Sequence, residues 1–170
     1  MKIDPKNITI RELSNGYEDN GEDGVVGYHG KLDIRPQYQR EFIYSPDKIE
    51  AVINTVSNEY PLNVMYWNVK DDGNFEIIDG QQRTLSICQF INGDFSSKTF
   101  NGRYWVDLYD DEQEDFLNYK LQIYKCSGTD SERLKWFETI NIAGLVLTKQ
   151  ELKNAQYAGS WVSDAKRYFS

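Results

Sequence analysis

Phe75-Glu76-Ile77-Ile78-Asp79-Gly80-Gln81-Gln82-Arg83 changes its period midway. Phe75 to Ile78 has strand character, Asp79-Gly80 breaks it, and from Gln82 onward Leu85, Cys88 and Ile91 recur at helical spacing until Gly93 supplies a stop. A strand therefore runs into a glycine turn, and the turn opens a helix. Backbone N–H groups without intrahelical partners gather at such a point, together with the positive end of the helix dipole, and they favour an anion. Gly80 lets the backbone approach a ligand closely. Arg83 offers a bidentate guanidinium to phosphate oxygens, Gln81 and Gln82 offer neutral donors, and Asp79 can orient Arg83 or hold a divalent cation. The plainer alternative is a turn and helix cap, with Arg83 in solvent.

Working outward, Asp71-Asp72-Gly73-Asn74 is a turn that joins this strand to a buried one over Val64 to Val69. Ser45-Pro46-Asp47 starts a helix: a hydroxyl cap, proline at the first helical position, then an acid at the positive dipole end. Ile49, Val52, Ile53 and Val56 give that helix one apolar face, and Pro61 ends it. Leu32 to Ile34 reads as a short strand closed by Arg35-Pro36, with Pro36 to Arg40 a loop, since a residue before proline favours extended geometry. Ser14 to Gly30, rich in glycine and acid, predicts a mobile surface loop after a short strand near Ile8 to Leu13.

Downstream, Asn101-Gly102 is a hairpin signal and Asp110 to Tyr119 an acidic surface helix. Leu121 to Tyr124 is a strand. A helix capped by Asp130 or Ser131 carries Leu134, Trp136, Phe137 and Ile140. Thr148 and Glu151 form a capping box for a helix to about Ala158, and Ser160 to Phe169 is helical. The pattern is α+β: one domain over residues 1–170, with about 131–170 as a helical extension. That extension ends on large aromatics without a stop signal, so the chain reads as the N-terminal fragment of a longer protein; docking of the aromatics back onto the domain is the alternative.

The chain has 170 residues, enough to bury a core without disulfides or a structural metal. Apolar residues are 39% and charged residues 27%, which fits neither a disordered nor a fibrous class. The longest apolar run, Val64 to Trp67, is far short of a membrane span, and Met1 to Ile10 carries no signal-peptide stretch. Cys88 and Cys126 lack CxxC spacing and read as free thiols of a cytoplasmic protein. His29 is the single histidine. A Ser-His-Asp triad would have to use it, and His-rich nuclease metal sites cannot be built. The net charge of −8 is concentrated in Glu18 to Asp23 and Asp107 to Asp115, which leaves the rest slightly basic. That permits a local anion site and argues against a broad DNA-binding face.

A second polar cluster is Arg35-Pro36-Gln37-Tyr38-Gln39-Arg40. On a proline-fixed loop, Tyr38 can stack on a base while Arg40 reaches phosphate; Tyr38 as a core plug is the alternative. Asn141-Ile142-Ala143-Gly144 is a weaker candidate that a helix-to-helix turn explains equally well. Neither GxxxxGK[ST] nor a post-strand GxGxxG occurs, so a P-loop and a dinucleotide Rossmann fingerprint are absent. Glu112, Glu114 and Asp115 read as a solvated helix face rather than a metal site.

Ile34-Arg35-Pro36-Gln37-Tyr38-Gln39-Arg40, an amphipathic helix, Pro61-Leu62, two strands and Asp79-Gly80-Gln81-Gln82-Arg83 together resemble the GmrSD-type N-terminal domain of bacterial type IV restriction and phage-defence systems. Trp136 to Asn141, Gly144, Leu147, Thr148 and Glu151-Leu152 resemble its second half. Two departures are Tyr44, where the family often has tryptophan, and Asn141-Ile142-Ala143-Gly144 in place of Asn-Thr-Gly-Gly.

The resemblance implies a ParB/sulfiredoxin-like α+β fold, with a small mixed sheet and a helical C-terminal part, that binds a nucleoside triphosphate. It assigns nucleotide binding to Tyr38, Gln39, Arg40, Asp79, Gly80, Gln81, Gln82, Arg83 and Asn141, and turnover to Asp79, Gln82 and Arg83. No residue is assigned as a resident metal ligand, although Mg²⁺ can accompany the nucleotide. Hydrolysis would regulate a modification-dependent nuclease of HNH type, which must lie downstream or in another subunit, and DNA would be met through the whole protein or complex. A non-hydrolysing nucleotide switch and a DNA-recognition module using Lys31, Arg35 and Arg40 are the rival readings.

Overall fold

The structure, a computed structural model, describes residues 1–35 and 44–140, without the side chains of Leu134 and residues 137–140. Tyr38, Gln39, Arg40 and Asn141, and the helices expected beyond Asn141, lie outside the described residues. Seven strands form one mixed sheet: β1 (Lys2–Thr9), β2 (Glu18–Asp19), β3 (Val25–Gly27), β4 (Leu32–Arg35), β5 (Met65–Val69), β6 (Phe75–Asp79) and β7 (Lys120–Ser127), in the order β1-β7-β5-β6-β4-β3-β2. The helices are α1 (Ile10–Ser14), α2 (Pro46–Ser57), α3 (Gln81–Ile91), α4 (Asp110–Leu117) and α5 (Asp130–Ile140). The class is α+β, and the sheet is larger than the small one expected.

Two parallel pairings place the ends that matter. β4 runs parallel to β6, with Leu32 opposite Phe75 and Asp33 opposite Glu76. Both strands therefore release the chain at the same edge of the sheet. β5 runs antiparallel to β6, which brings Tyr66 opposite Asp79, and β7 runs parallel to β5. The entries to β5 and β7 thus lie at that same edge.

The core explains the order. Ile34, Ile53, Val56, Met65, Trp67, Ile77, Ile87 and Ile123 are buried together between the sheet and the helices α2 and α3. Phe90 is fully buried and continues this core outward, stacking on Phe100 at 5.7 Å and meeting Phe95, Trp105 and Phe116. Burying rings of this size contributes about 2–3 kcal/mol each, which holds the irregular stretch between α3 and α4 on the domain.

Several expectations need correction. The strand proposed near Ile8 to Leu13 is two elements: β1 ends at Thr9, and Thr9 caps α1 through a reciprocal box with Glu12. The capping bonds satisfy backbone donors that a continued strand would have left to a neighbour. The segment Ser14 to Gly30, expected as a loop, contains β2 and β3, with Val25 buried. Asn101 and Gly102 both take positive φ, as the hairpin signal requires. They close a single bridge between Ser97 and Arg103 beside a 3₁₀ turn rather than joining two strands. β7 is longer than the predicted Leu121 to Tyr124, and α4 ends at Leu117 instead of Tyr119.

Candidate functional site

β6 delivers Asp79 to the sheet edge, and Gly80 turns the chain into α3 with φ +102°, a conformation L side chains rarely adopt. Space imposes the same choice. A Cβ on Gly80 would stand 2.7 Å from Cγ of Met65, which is fully buried at the start of β5. With glycine at the cap, the N-cap residue has no side chain to cap the start of α3. The first amides of the helix have no intrahelical acceptor and face the edge where β4 also ends.

Asp79 is 3% exposed. Burial pushes its carboxyl up to about 6, while the Arg83 guanidinium and the Gly80 amide pull it the other way. Arg83 Nη2 lies 3.3 Å from Asp79 Oδ2, and Arg83 Nη1 donates to the backbone carbonyl of Asn63. Arg83 is thus not the solvated side chain of the plainer reading; its guanidinium spans the strand end and the segment leading into β5. Burial, and next the charge of Asp79, raises the Tyr66 phenol, whose ring meets Tyr124 at 5.5 Å and Trp136 of α5 at 5.3 Å.

The glutamines are both buried and differently used. Gln81 Nε2 donates to the Ile34 carbonyl oxygen at 2.7 Å, whereas Gln81 Oε1 and Gln82 Nε2 are buried without a partner among the described residues. The segment before β5 is fixed on its far side too. Tyr119 donates its hydroxyl to the Tyr60 carbonyl at 2.6 Å and accepts from the Leu62 amide at 3.0 Å.

Asp79, Gly80, Gln81, Gln82 and Arg83 are thus brought together at one sheet edge. β4, which leads into Tyr38, Gln39 and Arg40, ends at that edge, although those three residues and Asn141 lie outside the described residues. Arg35 is buried, donating to the Gly21 carbonyl at 2.9 Å beside Asp19, so it is not the open phosphate contact of the DNA-recognition reading. In the acidic stretch, Glu112 is paired with Arg103 and Glu114 with Arg11. Among the described residues, no group of three His, Cys, Asp or Glu side chains converges to hold a metal ion, and no helix is long and apolar enough to cross a membrane. Sequence reasoning missed Ile34, Asn63, Met65 and Tyr66 as neighbours of the site. Two of these act through backbone carbonyls, which leave no signature in residue type.

The family described as GmrSD restriction endonuclease, N-terminal domain, matches residues 19–158. That span runs from β2 through all of the site, and the chain belongs to this family. It is a restriction-system component, for which a nuclease and DNA are the implied partners. No curated protein and no solved structure matches the chain.

Proposed function

We propose that the edge where β4 and β6 end binds a nucleoside triphosphate and hydrolyses it, and that the nucleotide state controls a modification-dependent, HNH-type restriction nuclease. The observation that carries this reading is the parallel pairing of β4 with β6. It sends both polar motifs out of adjacent strand ends, the position at which open α/β sheets take their ligands. The uncapped start of α3 supplies amides for phosphate, with Arg83 beside them. Among the described residues no three His, Cys, Asp or Glu side chains converge, so Mg²⁺ fits as the counter-ion of the phosphates rather than as a resident metal. In this reading Tyr38, Gln39, Arg40 and Asn141 complete the nucleotide pocket, and the fold is kin to ParB/sulfiredoxin-like domains.

The test is calorimetric titration with each Mg²⁺-NTP, followed by phosphate release on the same sample. Binding with turnover supports the proposal, and no binding overturns it. Binding without turnover selects the switch. One observation favours that second reading: the Asp79 carboxylate is engaged by Arg83 and Gly80, so it must be released before it can orient water.

A further inference from the structure

Gln81 and Gln82 stand side by side in the motif, but the structure gives them different tasks. Gln81 is fully buried and its amide nitrogen reaches the carbonyl oxygen of Ile34, 47 residues earlier, at 2.7 Å. Its orientation is fixed by chemistry, since a carbonyl accepts only from the –NH₂ end of the amide. Ile34 is the penultimate residue of β4, which ends at Arg35. The bond joins the first residue of α3 to the end of the neighbouring strand. β4 and β6 pair at Leu32–Phe75 and Asp33–Glu76, and this bond adds a tie between the two ends one residue further along β4. Gln81 Oε1 and Gln82 Nε2 are both buried with no partner among the described residues, but the Gln81 side chain is held through its Nε2, whereas Gln82 is held through its backbone carbonyl, which accepts from Ser86 Oγ at 2.8 Å.

We propose that Gln81 is a positioning residue, not a ligand contact: it sets the width of the crevice between β4 and α3, and Gln82 is the glutamine left to address the ligand. The proposal rests on the nucleotide reading and revises the role the motif resemblance gives Gln81.

The experiment compares wild type, Gln81→Glu and Gln82→Glu in thermal unfolding and in calorimetry with the Mg²⁺ complexes of ATP, GTP, CTP and UTP. Glutamate keeps the shape but sets an acceptor against the Ile34 carbonyl. Gln81→Glu should lower the unfolding midpoint and weaken every bound nucleotide by one common factor of tenfold or more, leaving their order of preference intact. Gln82→Glu should change the order, whatever the desolvation of a carboxylate at that buried position does to the midpoint. An unchanged midpoint with an altered order in Gln81→Glu would make Gln81 a ligand contact. A lowered midpoint with wild-type affinity would make it a brace of the fold alone. Either result overturns the proposal. Should Gln81→Glu not fold, NMR of wild type decides: the Gln81 side-chain amide protons must be protected from exchange without nucleotide and keep their shifts when it is added. Wild type that binds none of the four, with those protons still protected, would instead overturn the nucleotide reading.

Discussion

Arg83 and Asp79 face each other at 3.3 Å across the turn from β6 into α3, and the guanidinium that neutralises Asp79 also holds the carbonyl of Asn63. A side chain suited to clamping phosphate is thus already engaged by the protein. Under the proposed function a phosphate would compete with Asp79 for Arg83, which would link binding to fold stability at this residue.

Arg83→Ala is therefore expected to act twice. It leaves the buried Asp79 carboxylate unpaired, and loss of one partner of a buried pair costs about 3 kcal/mol, less if Asp79 takes up a proton. It should also weaken nucleotide binding by about 1.5–3 kcal/mol, as for a lost charge-assisted hydrogen bond. Urea titration and calorimetry on one sample check both. Full stability with unchanged affinity would remove Arg83 from the site.

The pH dependence follows from Asp79, whose folded pKa of about 6 lies above the 3.8 of an ordinary aspartate. Below both values the carboxyl is protonated in folded and unfolded chains alike and adds no penalty. As pH rises from about 4 to 6 the folded state holds the extra proton, so stability falls with pH and the penalty is complete above 6. Asp79→Asn should flatten that slope and unfold at higher urea than wild type at pH 7.5. If Asp79 orients water or metal, the same variant keeps much of its affinity and loses about 100-fold or more in turnover. Survival of turnover would reduce Asp79 to a turn residue.

Gly80→Ala meets two obstacles, the positive φ and the side chain of Met65. The backbone obstacle alone costs about 1–3 kcal/mol. Placing Gly80→Ala in a Met65→Ala background removes the collision but not the φ requirement, so in a double-mutant cycle the glycine substitution should cost less there than in wild type. Equal costs in both backgrounds would show that Met65 does not constrain the turn.

Tyr119→Phe removes the hydroxyl that bridges the Tyr60 carbonyl and the Leu62 amide. The expected loss is about 1–2 kcal/mol, with faster hydrogen exchange at Leu62. Because Asn63 follows directly and is held by Arg83, nucleotide affinity should fall slightly as well. Unchanged exchange at Leu62 would separate the two anchors of this segment.

The parts legible in the sequence were those governed by neighbouring residues. Pro46 begins α2 as its position predicts, and Gly80 marks the break between β6 and α3. Misreadings arose where two local rules competed. Ile8 and Ile10 alternate like a strand, yet Thr9 and Glu12 form a capping box, the same hydroxyl-to-acid spacing that the sequence offers at Thr148 and Glu151 outside the described residues. Val25 and Val26 were hidden among glycines because their strand is defined by its partners, not by its length. The Gln81–Ile34 and Arg83–Asn63 bonds had no signal at all, since each ends on a carbonyl that any residue could present.

β1 touches the sheet through β7, and β7 lies between β1 and β5. Lys2 pairs with Ser127, so during synthesis β1 waits for a strand far along the chain before it has this neighbour. Chains grow at about 5–20 residues per second, which leaves β1 unpaired for several seconds of synthesis. Its Pro5 and the charges of Lys2 and Lys6 suit that wait, because they discourage pairing with another nascent chain. A chain cut before Lys120 would lose the place of β1 along with β7, two strands for one truncation, while β4, β5 and β6, with the turn at Gly80, would remain adjacent.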